Sequence, residues 1–100
     1  MLEVLKSAAF QKWFDGLRDR QARARIDARI GRMRQGNCGD AKLLAGTGGV
    51  RELRVDYGAG YRVYFVQRGT TLAILLCGGD KRTQDADIRR AAEMAIEWKD

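Results

Sequence analysis

The apolar positions of this chain fall into runs whose spacing changes three times. In "LEVLKS", Leu2 and Val4 alternate with Glu3 and Leu5, which predicts a short strand over residues 2–7. Phe10, Trp13, Phe14 and Leu17 then recur at i, i+3, i+4 and i+7, which sets all four on one face of a helix. Ser7 stands where an N-cap belongs, and Gly16 weakens the far end. Asp19 opens a second helix from about Arg20 to Gln35, with Ala22, Ile26, Ile30 and Met33 as its apolar stripe and Gly36–Asn37 as its stop.

Residues 36–49 read as a loop in which Lys42, Leu43 and Leu44 are expected to pin the chain to the core. Three strand patterns follow, Val50–Tyr57, Tyr61–Arg68 and Thr71–Cys77, separated by turns at Gly58–Gly60 and at "RGT". The third is apolar at nearly every position and predicts a central strand covered on both faces. "GGDKRTQDAD" interrupts it, either as a plain turn or as an anion-binding nest. Thr83 is then the expected cap of a last helix. Asp85 and Asp87 lie in its first turn, and Ile88, Ala91, Ala92, Ala95 and Trp98 on its apolar face. The order is β-α-α-β-β-β-α, an α+β arrangement in one domain spanning 1–100, with a small mainly antiparallel sheet packed on two N-terminal helices.

Charge narrows the function. The net charge is +6, which favours an anionic partner, nucleic acid or acidic protein, over a neutral one. Six arginines (20, 23, 25, 29, 32 and 34) stud the second helix, either as a solvated face or as a contact for phosphates or acidic side chains. With no histidine and no paired cysteines, a Cys/His zinc site is nearly excluded, and no metal or cofactor is expected. Cys77 lies in an apolar run and reads as a small core residue. No leader-like or membrane-spanning segment is evident, which points to the cytoplasm and reduced thiols.

Strand alternation gives the charges a direction. Tyr61, Val63 and Phe65 face the helices, so Arg62, Tyr64 and Val66 face away. Leu53 and Val55 also face the helices, which leaves Glu52, Arg54 and Asp56 on the other, open face. Arg54 and Arg62 therefore share a surface. Lys81 and Arg82 leave the neighbouring strand beside them, completing a phosphate-sized cationic patch. A second reading is that the two arginines only pair with Glu52 and Asp56 across the hairpin.

Two stretches, "AKLLAGTGGVRELRVDYGAGYRVYF" and "LLCGGDKRTQDADIRRA", together with the element order, resemble the RelE/ParE superfamily of toxins from type II toxin–antitoxin modules. The resemblance spans nearly the whole chain and is greatest to the HigB-like, addiction-module killer branch. It implies a RelE-like fold and a ribosome-dependent mRNA endoribonuclease that inhibits translation. It also implies a cognate antitoxin, itself a helix-turn-helix DNA-binding protein through which alone the pair meets operator DNA. The ribosome and mRNA are the other implied partners, with no membrane involved. The ParE-like alternative is a poison of DNA gyrase that cuts no RNA.

On this resemblance Arg62, Arg54, Lys81 and Arg82 are the residues that hold and polarise the message. Metal-free RNA cleavage needs a base for the 2′-hydroxyl, cations for the charge building on the phosphate and an acid for the leaving 5′-oxygen. The tyrosine and histidines that relatives use for proton transfer have no counterpart: the tyrosine position falls near Asp87 or Ile88. Glu52, Asp80 and Lys81 are the candidate bases, and Tyr57 and Tyr64 are candidates for stacking on bases.

Overall fold

The computed structural model describes residues 1–98. The elements run β1 (Glu3–Lys6), α1 (Ala8–Asp15), α2 (Arg20–Arg34), β2 (Ala41–Leu43), β3 (Arg51–Val55), β4 (Tyr61–Arg68), β5 (Leu72–Gly79), a 3-10 turn (Lys81–Thr83) and α3 (Gln84–Glu97). The five strands form one sheet in the order β1-β5-β4-β3-β2. β1 pairs parallel to β5, and the other neighbours pair antiparallel. The expected α+β order is present with one addition, the three-residue strand β2.

The helices start where side chains can satisfy their free N–H groups. Ser7 accepts from the Phe10 amide at 2.9 Å and donates to the Leu76 carbonyl, so one hydroxyl caps α1 and ties it to β5. Asp19 accepts from the amides of Gln21 and Ala22 at the start of α2. Thr83 stands at the N-cap of α3, as expected, but its side chain makes no cap hydrogen bond. Its hydroxyl is turned to the Asp87 carboxylate at 2.5 Å, and Asp80 instead caps the 3-10 turn by accepting from the Arg82 amide at 2.8 Å.

The sheet is covered on both sides. On one face Phe10 from α1 and Ile26, Ile30 and Met33 from α2 pack against Leu53, Val55, Val63, Phe65 and Leu75. Full burial of each large apolar side chain contributes about 1.5–3 kcal/mol. On the other face Tyr64, Val66, Ile74, Leu76 and Cys77 pack under Ala91 and Ala95 of α3. This corrects the sequence reading, which left Glu52, Arg62 and Tyr64 on an open face. The apolar stripe of α3 needs a cover, and the back of β4 and β5 supplies it.

Two further expectations change. Lys42 and Leu43 do not pin the loop to the core. Both are exposed on β2, and Leu44 alone of the three turns inward against the second cluster. Nor do Gly78 and Gly79 form a turn or a nest; they are the last residues of β5. The pairing of β4 with β5 shifts register between Tyr64 and Phe65, a bulge that rephases the end of β5. A Cβ at Gly78 would overlap the Trp13 ring on the α1 side, and one at Gly79 would overlap the Asp87 carboxylate on the α3 side. The two glycines let both helices approach the strand end.

Candidate functional site

The hairpin of β3 and β4 sets Arg54 directly opposite Arg62. Like charges at such positions repel, and each arginine has its own carboxylate. Arg54 Nε lies 3.3 Å from Asp40 Oδ2 in an exposed pair, a carboxylate outside the Glu52 and Asp56 that the second sequence reading offered. Arg62 Nε lies 3.6 Å from Glu52 Oε2, with both side chains almost fully buried. That cross-strand pairing is as the same reading anticipated.

Arg62 is held from a second side. Its Nη1 donates to the Gly60 carbonyl at 2.6 Å. Gly60 has φ +76°, and a Cβ there would meet Arg62 Nη1 on one side and Lys81 Cβ on the other. The Lys81 amide donates to the Ala59 carbonyl at 3.3 Å. The glycine-rich turn and the 3-10 turn are thus joined, and Lys81 stands beside Arg62. A concave pocket of about 230 Å³ opens here between Asp40, Arg54, Asp56, Gly60, Tyr61 and Arg62. The structure therefore brings Arg54, Arg62 and Lys81 together at one end of the sheet.

Arg82 is exposed and folds back on Asp80, with Nη2 to Oδ2 at 3.1 Å, and with Lys81 it lines a separate groove beside the start of α3. Hydrogen bonding from Arg82 holds the Asp80 carboxyl below the usual carboxylate range. Arg82 is at the patch by sequence, but its guanidinium is already engaged.

Glu52 differs most from expectation. It is 4% exposed. Its Oε2 accepts from the Tyr64 hydroxyl at 3.0 Å and from Gln84 Nε2 at 2.9 Å, and faces Arg62 Nε. Tyr64, expected as a stacking platform, is fully buried with no ring face open to a base. Burial, then the neighbouring Glu52 carboxylate, raises the Tyr64 phenol far above its ordinary value, so it stays a hydrogen-bond donor. Tyr57 is partly exposed. Its hydroxyl meets Asp19 and Gln21, and the Arg25 guanidinium lies 4.6 Å from its ring centre.

Sequence reasoning missed Asp40, Gln84 and the buried role of Tyr64. For Tyr64 the signal was present, because Glu52 and Tyr64 are direct partners across the hairpin. For Asp40 there was none, since it sits in a loop with no periodicity. The second helix extends the basic surface. Arg29 donates to the carbonyl of Arg54 at 2.8 Å and reaches toward that of Cys38, so the arginine-rich face of α2 abuts the pocket rim. Among the described residues no group of acidic, cysteine or histidine side chains is placed to hold a metal ion.

The architecture defines a class. The fold is that of RelE: the structure superposes on a mutant of E. coli toxin RelE in the free state with a TM-score of 0.75, covering 95% of this chain and 97% of that one, at 12% identity. Residues 12–97 match the model of the family described as "Phage derived protein Gp49-like". The chain belongs to that family. It is also 45% identical over 96 residues to a Haemophilus influenzae (strain Rd) protein described as uncharacterized, a match covering 96% of this chain and 95% of the relative.

Proposed function

We propose that this protein is the toxin of a type II toxin–antitoxin module and acts as a ribosome-dependent mRNA endoribonuclease. The observation that supports this most is that Arg54 and Arg62 line one pocket at the end of a RelE-like sheet, with the backbone of Lys81 joined to the Gly58–Gly60 turn at its edge. Two guanidinium groups lining a pocket, with a lysine on the adjoining turn, suit a phosphodiester, whose charge grows as the 2′-oxygen attacks. In this reading Arg62, held at Gly60 and Glu52, takes the phosphate oxygens; Arg54 lines the opposite wall; and Lys81 reaches in from the 3-10 turn. Arg82 supports Lys81 through Asp80.

Proton transfer is the harder part. Glu52 is buried with three groups on one oxygen, and Asp80 is occupied by Arg82 and the turn. Lys81 is exposed and is the candidate base left with access to a substrate. The +6 charge and the basic face of α2 beside the pocket support an RNA-rich target. An antitoxin that holds the protein inactive is the partner the family implies, and the ribosome and message are the proposed targets. Cytoplasmic action is part of the proposal; among the described residues no helix is long and apolar enough to cross a membrane.

A second reading is a ParE-like gyrase poison. The enclosure of Glu52 and Tyr64 favours it, because it removes two proton-transfer groups from solvent. Induced expression with mapping of mRNA 5′ ends separates the two. The nuclease reading expects cuts inside translated codons, and the gyrase reading expects intact messages with trapped gyrase–DNA complexes.

A further inference from the structure

Three groups converge on one oxygen of Glu52: the Tyr64 hydroxyl at 3.0 Å, Gln84 Nε2 at 2.9 Å and Arg62 Nε at 3.6 Å. Only the first two are within hydrogen-bond reach. Arg62 Nε is buried and has no hydrogen-bond partner among the described residues, although a carboxylate stands next to it. A buried carboxylate and a buried guanidinium this close would ordinarily close into a tight, charge-assisted pair. Here the carboxylate is drawn toward Tyr64 and Gln84 instead. Glu52 and Tyr64 are fixed by direct strand pairing, and Gln84 by the first turn of α3 docked on the sheet.

We propose that Tyr64 and Gln84 are positioning residues for Arg62, holding the Glu52 carboxylate back from a closed ion pair so that the guanidinium stays presented to a phosphate in the pocket. The arrangement is a balance. Glu52 attracts Arg62 enough to hold it in place, and the two neutral donors keep that attraction from drawing the guanidinium inward, away from the pocket it lines. Gln84 also follows Lys81 by three positions, so the same contact that restrains Glu52 seats the turn carrying Lys81. The phosphate at the end of this chain of contacts rests on the nuclease reading. The restraint on Arg62 does not.

The test reads Arg62 directly, by the exchange of its Nε–Hε proton with water in the NMR spectrum of the purified protein. In Tyr64→Phe and in Gln84→Leu the carboxylate is released toward Arg62, and the exchange is expected to slow about tenfold, as a gained charge-assisted hydrogen bond dictates. Adding Glu52→Gln to Tyr64→Phe removes the capturing charge and should restore the wild-type rate. Gln84 is only partly buried, so its variant keeps the experiment decisive if Tyr64→Phe fails to fold. Exchange that is unchanged or faster in the folded single variants, or a double variant that stays slow, overturns the proposal. Cleavage of translated mRNA is measured alongside. A folded single variant with lowered kcat at unchanged KM supports positioning over a merely structural role. Loss of cleavage in every protein including wild type removes the nuclease reading, while the Arg62 exchange still decides this one.

Discussion

Arg54 and Arg62 face each other across two strands, yet they are different kinds of residue. Arg54 is more than half exposed and pairs with an equally exposed Asp40, an arrangement worth little to stability. Arg54→Ala should change the unfolding free energy by less than about 0.5 kcal/mol while lowering mRNA cleavage; chemical denaturation and a cleavage assay on the same sample check both halves. Arg62→Ala leaves Glu52 buried without its cation, so a loss of about 3 kcal/mol is expected, together with about a hundredfold or greater loss of cleavage. Gly79 is a third case, set by space alone. Gly79→Ala places a methyl group on the Asp87 carboxylate and should cost about 1–3 kcal/mol, visible as a lowered thermal midpoint. The alternation of polar and apolar residues showed which face these side chains share. It could not show which carboxylate each arginine takes, because Asp40 lies in a loop whose path no local pattern sets.

At the scale of elements, the chain announced what it forms wherever a period was sustained. α1 and α2 lie where the aromatic and aliphatic stripes put them, and their caps, Ser7 and Asp19, are the ones the sequence offers. β4 runs from Tyr61 to Arg68 as alternation predicted. β2 was missed because three residues cannot establish a period; its pairing with β3 places it, not its composition. The glycine pair was misread because Gly-Gly before Asp-Lys is an ordinary turn signal. Here tertiary packing overrides it: Trp13 and Asp87 need the room. Ser7 tests how far one residue governs an element. Its hydroxyl both caps α1 and bonds to β5, so Ser7→Ala should cost about 1–2 kcal/mol, measured by denaturant unfolding, with loss of amide protection concentrated in α1.

At the scale of the whole molecule, α3 is the element whose consequence the sequence concealed. Its apolar stripe was legible, and so was the double-sided burial of β5. That the same helix closes over Glu52, Arg62 and Tyr64 follows only from their joint placement. The closure makes stability depend on pH at the alkaline end. Burial, with Asp87 nearby, pushes the Cys77 thiol up from 9.0 to about 11, and Tyr64 is raised above its ordinary 10.0. A group whose folded pKa is raised contributes stability that is complete below its unfolded pKa and is lost as pH rises toward the folded one. Stability should therefore be flat near neutrality, fall as pH rises from about 9 to 11, and keep falling above that as Tyr64 resists ionisation. Cys77→Ala should remove the first part of the fall in a series of denaturant titrations, and an unchanged curve in that variant would assign the loss elsewhere.

The central claim is that a RelE-like sheet presents Arg54, Arg62 and Lys81 to the phosphate of a translated message. The most direct measurement is a reconstituted translation reaction with wild type and Arg62→Ala at equal folded concentration, with mRNA 5′ ends mapped. The account predicts cuts within codons in the wild-type reaction only when ribosomes are engaged on the message, and their loss in the variant. Intact mRNA with the wild-type protein, or equal cutting by the variant, would contradict it.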